Sequence, residues 1–66
     1  MQILLNGEAR TLEAEATVSD LIAALDLTGR RIAVEVNEEI VPRSQHAQQG
    51  LADGDRVEIV HAIGGG

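Results

Sequence analysis

From its first residue the chain alternates apolar and polar positions: Met1, Ile3 and Leu5 fall on one side of an extended segment, the period of two that a strand imposes. Asn6-Gly7 follows, a pair that readily takes the left-handed backbone of a two-residue hairpin. A return strand is therefore predicted from about Glu8 to Ala14, with Leu12 on the buried side. The period then changes. Val18, Leu21, Ile22 and Leu25 recur at helical spacing, and Thr17 with Asp20 three residues on has the pattern of a capped helix start. The helix is expected to fade near Leu27 and to close at Thr28-Gly29, where glycine can turn left-handed. Alternation resumes in Ile32-Ala33-Val34-Glu35-Val36. Asn37-Glu38-Glu39 reads as a polar turn, and Ile40-Val41 as a short strand stopped by Pro42, whose missing amide hydrogen confines it to an edge. Ser44 to Gln49 is polar, with room for one helical turn, before Leu51 returns to the core. Asp53-Gly54-Asp55 is a tight turn launching a last strand, in which Val57 and Ile59 face inward.

An amphipathic helix and a small sheet with one apolar face bury both surfaces by packing together. The predicted class is thus α+β, a small mixed sheet with one helix across one face. If the first and last strands lie parallel at its centre, Ile3 and Leu5 meet Val57 and Ile59 beneath the helix, which is the ubiquitin-like β-grasp arrangement. The same alternation turns Leu4 and Val60 to the open face, with Val41 a candidate neighbour. These residues are either a docking patch or aliphatics that the surface tolerates.

Composition narrows the function classes. A chain of 66 residues is read as one domain that buries only about 60% of its unfolded surface. It has no Phe, Tyr or Trp, so its core is aliphatic and it has no platform for stacking bases. Eleven acidic residues stand against five arginines and no lysine, a formal charge of −6. That balance disfavours nucleic acid and anionic membranes and favours a basic protein partner. The chain contains no cysteine, which removes disulfides and thiolate chemistry. Nothing at its start has a signal-peptide pattern and no apolar run could span a bilayer, so a cytoplasmic protein, monomeric when free, is expected. His46 and His61 lack metal-ligand spacing and are read as solvated side chains, with no metal site. Ser44 with His46 has no third member to make a catalytic set, and Glu38-Glu39 is read as a solvated tip.

The sequence closes with Ile63-Gly64-Gly65-Gly66. Without Cβ atoms the glycines fit a channel too narrow for other residues, so residues 1–62 are read as the folded domain and 63–66 as a tail. A frayed end is the alternative.

The segment Val36-Asn37-Glu38-Glu39-Ile40-Val41-Pro42-Arg43, followed by Leu51-Ala52-Asp53-Gly54-Asp55-Arg56-Val57-Glu58-Ile59-Val60 and a closing Gly65-Gly66, resembles the sulfur carrier family of thiamin biosynthesis (ThiS), as does Met1-Gln2-Ile3-Leu4-Leu5-Asn6-Gly7. The resemblance runs over nearly the whole chain. It implies a carrier rather than an enzyme. An E1-like adenylyltransferase would activate the Gly66 carboxylate with ATP, a sulfur-donating enzyme would convert it to a thiocarboxylate, and thiazole synthase would take the sulfur. No cofactor is bound by the carrier itself. Gly64 and Gly65 would provide clearance, with Leu4, Val60, Ile63 and Arg43 as docking candidates, and Glu38 and the acidic turn Asp53-Gly54-Asp55 standing with Arg43. Family members often carry an aromatic residue near the position of His46. Other sulfur acceptors, such as molybdopterin or transfer RNA, and a ubiquitin-like modifier joined through Gly66 to a target lysine, remain open alternatives.

Overall fold

The computed structural model describes residues 1–61. Strand β1 (Gln2–Leu5) returns as β2 (Glu8–Thr11) through Asn6 and Gly7, which take φ of 50° and 85°, the backbone of a type I′ turn. β2 ends sooner than the alternation predicts. Leu12 still bonds both ways with Met1, its N–H donating to the Met1 carbonyl at 2.7 Å and its carbonyl accepting from the terminal amine at 2.8 Å. A turn then lifts the chain off the sheet, with the Ala16 N–H donating to the Glu13 carbonyl and Glu15 at φ 66°.

Helix α1 (Val18–Ala24) begins with all four of its free amides satisfied. Thr17 and Asp20 form the reciprocal capping box, the Thr17 N–H donating to the Asp20 carboxylate at 2.9 Å and the Asp20 N–H to the Thr17 hydroxyl at 3.2 Å. The Val18 and Ser19 amides donate to the Gln49 and His46 carbonyls at 2.9 and 3.0 Å. Sequence-distant loop carbonyls thus complete what a local cap leaves open. At the other end the expectation of closure at Gly29 is corrected. Leu25 caps the helix and Asp26 takes the left-handed position at φ 59°. The Leu27 N–H donates to the Ile22 carbonyl and the Asp26 N–H to the Ala23 carbonyl, the paired bonds of a Schellman closure. Gly29, at φ 81°, serves the next turn, in which the Arg30 N–H donates to the Leu27 carbonyl at 3.0 Å.

β3 (Ile32–Val36) and β4 (Glu39–Val41) are joined by two residues rather than three. Asn37 and Glu38 take φ of 52° and 71°, and Glu39 is already in the strand. A 3₁₀ turn (Arg43–Gln45) follows, and β5 (Arg56–His61) completes the sheet. The strand order is β2-β1-β5-β3-β4, with β1 and β5 parallel and the other pairs antiparallel. The last strand therefore lies at the centre beside the first.

The core forms where the sheet meets α1. Ile3, Val34 and Val57 from the sheet and Val18 and Leu21 from the helix are almost wholly excluded from solvent, and Ile22, Val36, Val41, Leu51 and Ile59 complete the cluster. The layer is aliphatic throughout, so it relies on interdigitated branched side chains. No helix among the described residues is long and apolar enough to cross a membrane. The boundary expected after residue 62 lies outside the described residues.

Candidate functional site

β5 carries the chain to His61 and is held on both sides. On one side it pairs with β3 along its length, with Val36 opposite Val57 and Ile32 opposite His61. On the other side β1 is shorter, and its ladder would stop near Leu5 opposite Val57. Asn6 extends it. The Asn6 N–H donates to the Val57 carbonyl at 2.9 Å, its side-chain amide donates to the Ile59 carbonyl at 3.2 Å, and its side-chain oxygen accepts from the Ile59 N–H at 2.9 Å. The Asn6 side chain thus acts as one more residue of strand, while its backbone has already turned into the hairpin.

The start of β5 is tied as firmly. Ala52 to Asp55 close a turn with Gly54 at φ 88°, in which the Asp55 N–H donates to the Ala52 carbonyl and the Ala52 N–H to the Asp55 carboxylate. The same turn runs along β1, with the Gln2 N–H donating to the Asp53 carboxylate at 2.7 Å and the Leu4 N–H to the Asp55 carbonyl at 2.9 Å. Asn37 accepts from the Arg56 N–H and donates to the Asp55 carboxylate, each at 3.0 Å. The strand leading into the glycines is therefore fixed at both ends by side chains that mimic backbone. Asn6 and Asn37 looked like turn formers only. The available signal was that asparagine, unlike glycine, brings an amide to a left-handed position.

On the open face of the sheet Leu4, Val60 and Ile40 are the exposed large apolar residues, at 41%, 56% and 73% accessibility. Leu4 and Val60 lie on adjacent strands and the same face, but the register separates them. Leu4 stands opposite Arg56 and Val60 opposite Ala33, so they lie about 13 Å apart along the strand direction. Val41 is not on this face. It stands opposite Val34 and is buried in the core, while Ile40, opposite Glu35, points outward. The two-residue hairpin at Asn37 and Glu38 sets that parity, and counting Glu39 into the turn reverses it. On the open face Val60 thus stands beside Ala33 near the end of β5, and the next row toward its start is Glu58, Glu35 and Ile40.

His46 is not a solvated side chain. It is 8% exposed, with Nε2 at 3.0 Å from the Val41 carbonyl, and its flat ring fills the place beside the 3₁₀ turn. His61 is exposed at the end of β5, and Ser44 is exposed in the turn. Glu38 makes an exposed ion pair with Arg56 at 3.8 Å, the kind of contact that adds little stability. Arg43 is exposed and donates to the Arg30 carbonyl at 3.1 Å. Among the described residues no three His, Asp or Glu side chains gather as a metal site. Ile63, Gly64, Gly65 and Gly66 lie outside the described residues.

A five-stranded mixed sheet with parallel first and last strands at its centre, one helix across one face and a glycine-rich segment continuing from the central strand defines a ubiquitin-like β-grasp carrier class. The chain belongs to the ThiS family, whose pattern it matches over residues 3–66. It is 41% identical over 66 residues to the sulfur carrier protein ThiS of Escherichia coli, each chain being covered completely. It is 48% identical over 66 residues to a thiazole synthase of Paramagnetospirillum magneticum and 39% identical to one of Magnetococcus marinus. In both cases it is matched in full but spans only 20% of the relative's length. The crystal structure of a thiamine biosynthesis protein (ThiS) from Geobacter metallireducens superposes with a TM-score of 0.85 at 30% identity, covering 100% of both chains.

Proposed function

We propose that this chain is a sulfur carrier for thiazole formation in thiamin biosynthesis, with Gly66 as the residue that bears the sulfur. The observation that carries this reading is the central β5, pinned by β3 and by the Asn6 amide as far as Ile59 and His61 and followed by a sequence ending in three glycines. Full-length similarity to the Escherichia coli carrier supports it. A rigid root delivers a thin end to a partner's active site with little orientational entropy left to lose.

The chemistry follows from the carboxylate. A carboxylate is a poor acyl donor, so its oxygen attacks the α-phosphorus of ATP in an E1-like adenylyltransferase, and pyrophosphate leaves. The acyl-adenylate carbonyl is then attacked by the terminal sulfur of a partner's persulfide, releasing AMP, and a thiol cleaves the resulting acyl disulfide to leave the thiocarboxylate. Thiazole synthase accepts that sulfur. Each attack comes at the Gly66 carbonyl, where the absence of Cβ leaves the approach open, and Gly64 and Gly65 give clearance behind it. Leu4, Val60, Ile63 and Arg43 are docking residues in this reading. The carrier contributes no catalytic group, holds no cofactor, and works as a cytoplasmic monomer between encounters. Thiazole formation reconstituted from purified adenylyltransferase, sulfur donor and thiazole synthase tests this. Product should depend on the chain and vanish on deletion of Gly66. Product formed equally well with the truncated chain would refute the assignment.

A further inference from the structure

The positive charge of this acidic molecule is not spread evenly. Three of its five arginines, Arg30, Arg31 and Arg43, are exposed and gather at one end of the sheet. Arg31 immediately precedes Ile32, which stands opposite His61 at the end of β5. Arg43 opens the 3₁₀ turn two residues after Val41, which stands opposite Val34, and it lines one groove together with Arg30 and Ile32. The Arg43 guanidinium is held over this end by its 3.1 Å bond to the Arg30 carbonyl. The sole ion pair among the described residues is Arg56 with Glu38, at the far end of β5. None of the three arginines therefore has a carboxylate partner among those residues. Below Arg30 and Arg43 lies a shallow groove with an apolar floor of Ile22, Leu27 and Ile32 and a wall formed by His46.

We propose that Arg30, Arg31 and Arg43 form a cationic collar around the root of the glycine segment, docking against carboxylate side chains that border the tail-receiving channel of thiazole synthase. This rests on the carrier reading above. Charge complementarity calls for an acidic surface, and the groove suits a glutamate, whose methylenes can lie on the apolar floor while its carboxylate reaches the two guanidiniums. Thiazole synthase is chosen because two relatives of that name contain the equivalent of this chain within their own length, so carrier unit and synthase are brought together there by covalent linkage.

Association of the chain with purified thiazole synthase, followed by stopped flow at several ionic strengths, tests the collar. Arg31→Glu, which removes a side chain with no hydrogen-bond partner among the described residues, and Arg30→Glu should each lower the association rate constant about tenfold at low salt and flatten its salt dependence. Arg10→Glu, on the opposite edge strand β2, should match the wild type, and thermal melts should confirm that all three variants fold. Unchanged association of the Arg31→Glu and Arg30→Glu variants would overturn the collar, as would an equal loss in Arg10→Glu, which would mean net charge alone. A wild-type chain that does not bind the synthase would instead overturn the carrier reading, and the collar with it.

Discussion

At the scale of single residues, backbone sign explains more than side-chain chemistry. Glu38 occupies the second position of a type I′ turn at φ 71°, where glycine is favoured and a side chain is strained. Glu38→Gly should therefore raise the unfolding free energy by about 0.5–1 kcal/mol in urea titrations, because the exposed pair it loses with Arg56 contributes little. That turn also shows where the sequence pattern misleads. Ile40 and Val41 are adjacent aliphatics, and only the length of the preceding turn decides which is buried. His46 is a second such place. A polar residue in a polar stretch reads as solvated, yet its ring is buried and its Nε2 is satisfied by the Val41 carbonyl. An imidazole in this buried place needs a polar partner, which an aromatic hydrocarbon would not. His46→Ala should cost about 2–3 kcal/mol through lost packing, while an aromatic replacement should recover part of it.

At the scale of elements, the strands and helix were legible because their periods are long enough to show, and the capping pair Thr17 and Asp20 marked the helix start correctly. Thr17→Ala should cost about 1 kcal/mol, seen as a lower melting temperature. The helix end was misplaced because glycine outranks aspartate as a left-handed residue, yet the register of Leu27 against Ile22 selects Asp26. What sequence alone could not display is the contact between elements. Helix α1 takes two of its amide partners from the loop that carries His46 and Gln49, and β5 takes an amide partner from Asn6, 53 residues away in the chain. Asn6→Ala removes both side-chain bonds to Ile59 and the residue type that tolerates φ 50°. It should destabilise the fold by about 2–3 kcal/mol and raise amide exchange at Ile59 more than at Leu21. Asn6→Gly restores the backbone preference but not the clamp, so it should recover stability while exchange at Ile59 stays high.

At the scale of the molecule, the fold is a handle. The central strand is the last one, and every device at its margins holds it: the β3 ladder, the Asn6 amide, and the turn at Ala52 to Asp55. The β-grasp order could be anticipated from the hairpin, the crossover helix and the late strand. The separation of Leu4 from Val60 could not, because it depends on a parallel register that leaves no trace in either strand. The arginine collar was likewise invisible until β3, β4 and β5 were aligned. The core cluster among the described residues runs from Ile3 to Ile59, so removing residues 62–66 should leave the urea midpoint unchanged while abolishing sulfur transfer. The most direct measurement of the central claim is the intact mass of the chain after incubation with ATP, an E1-like adenylyltransferase and a sulfur donor. The account predicts a gain equal to one oxygen-for-sulfur exchange, mapped to Gly66 and absent when that residue is deleted. An unchanged mass, despite turnover of ATP by the partner, would contradict it.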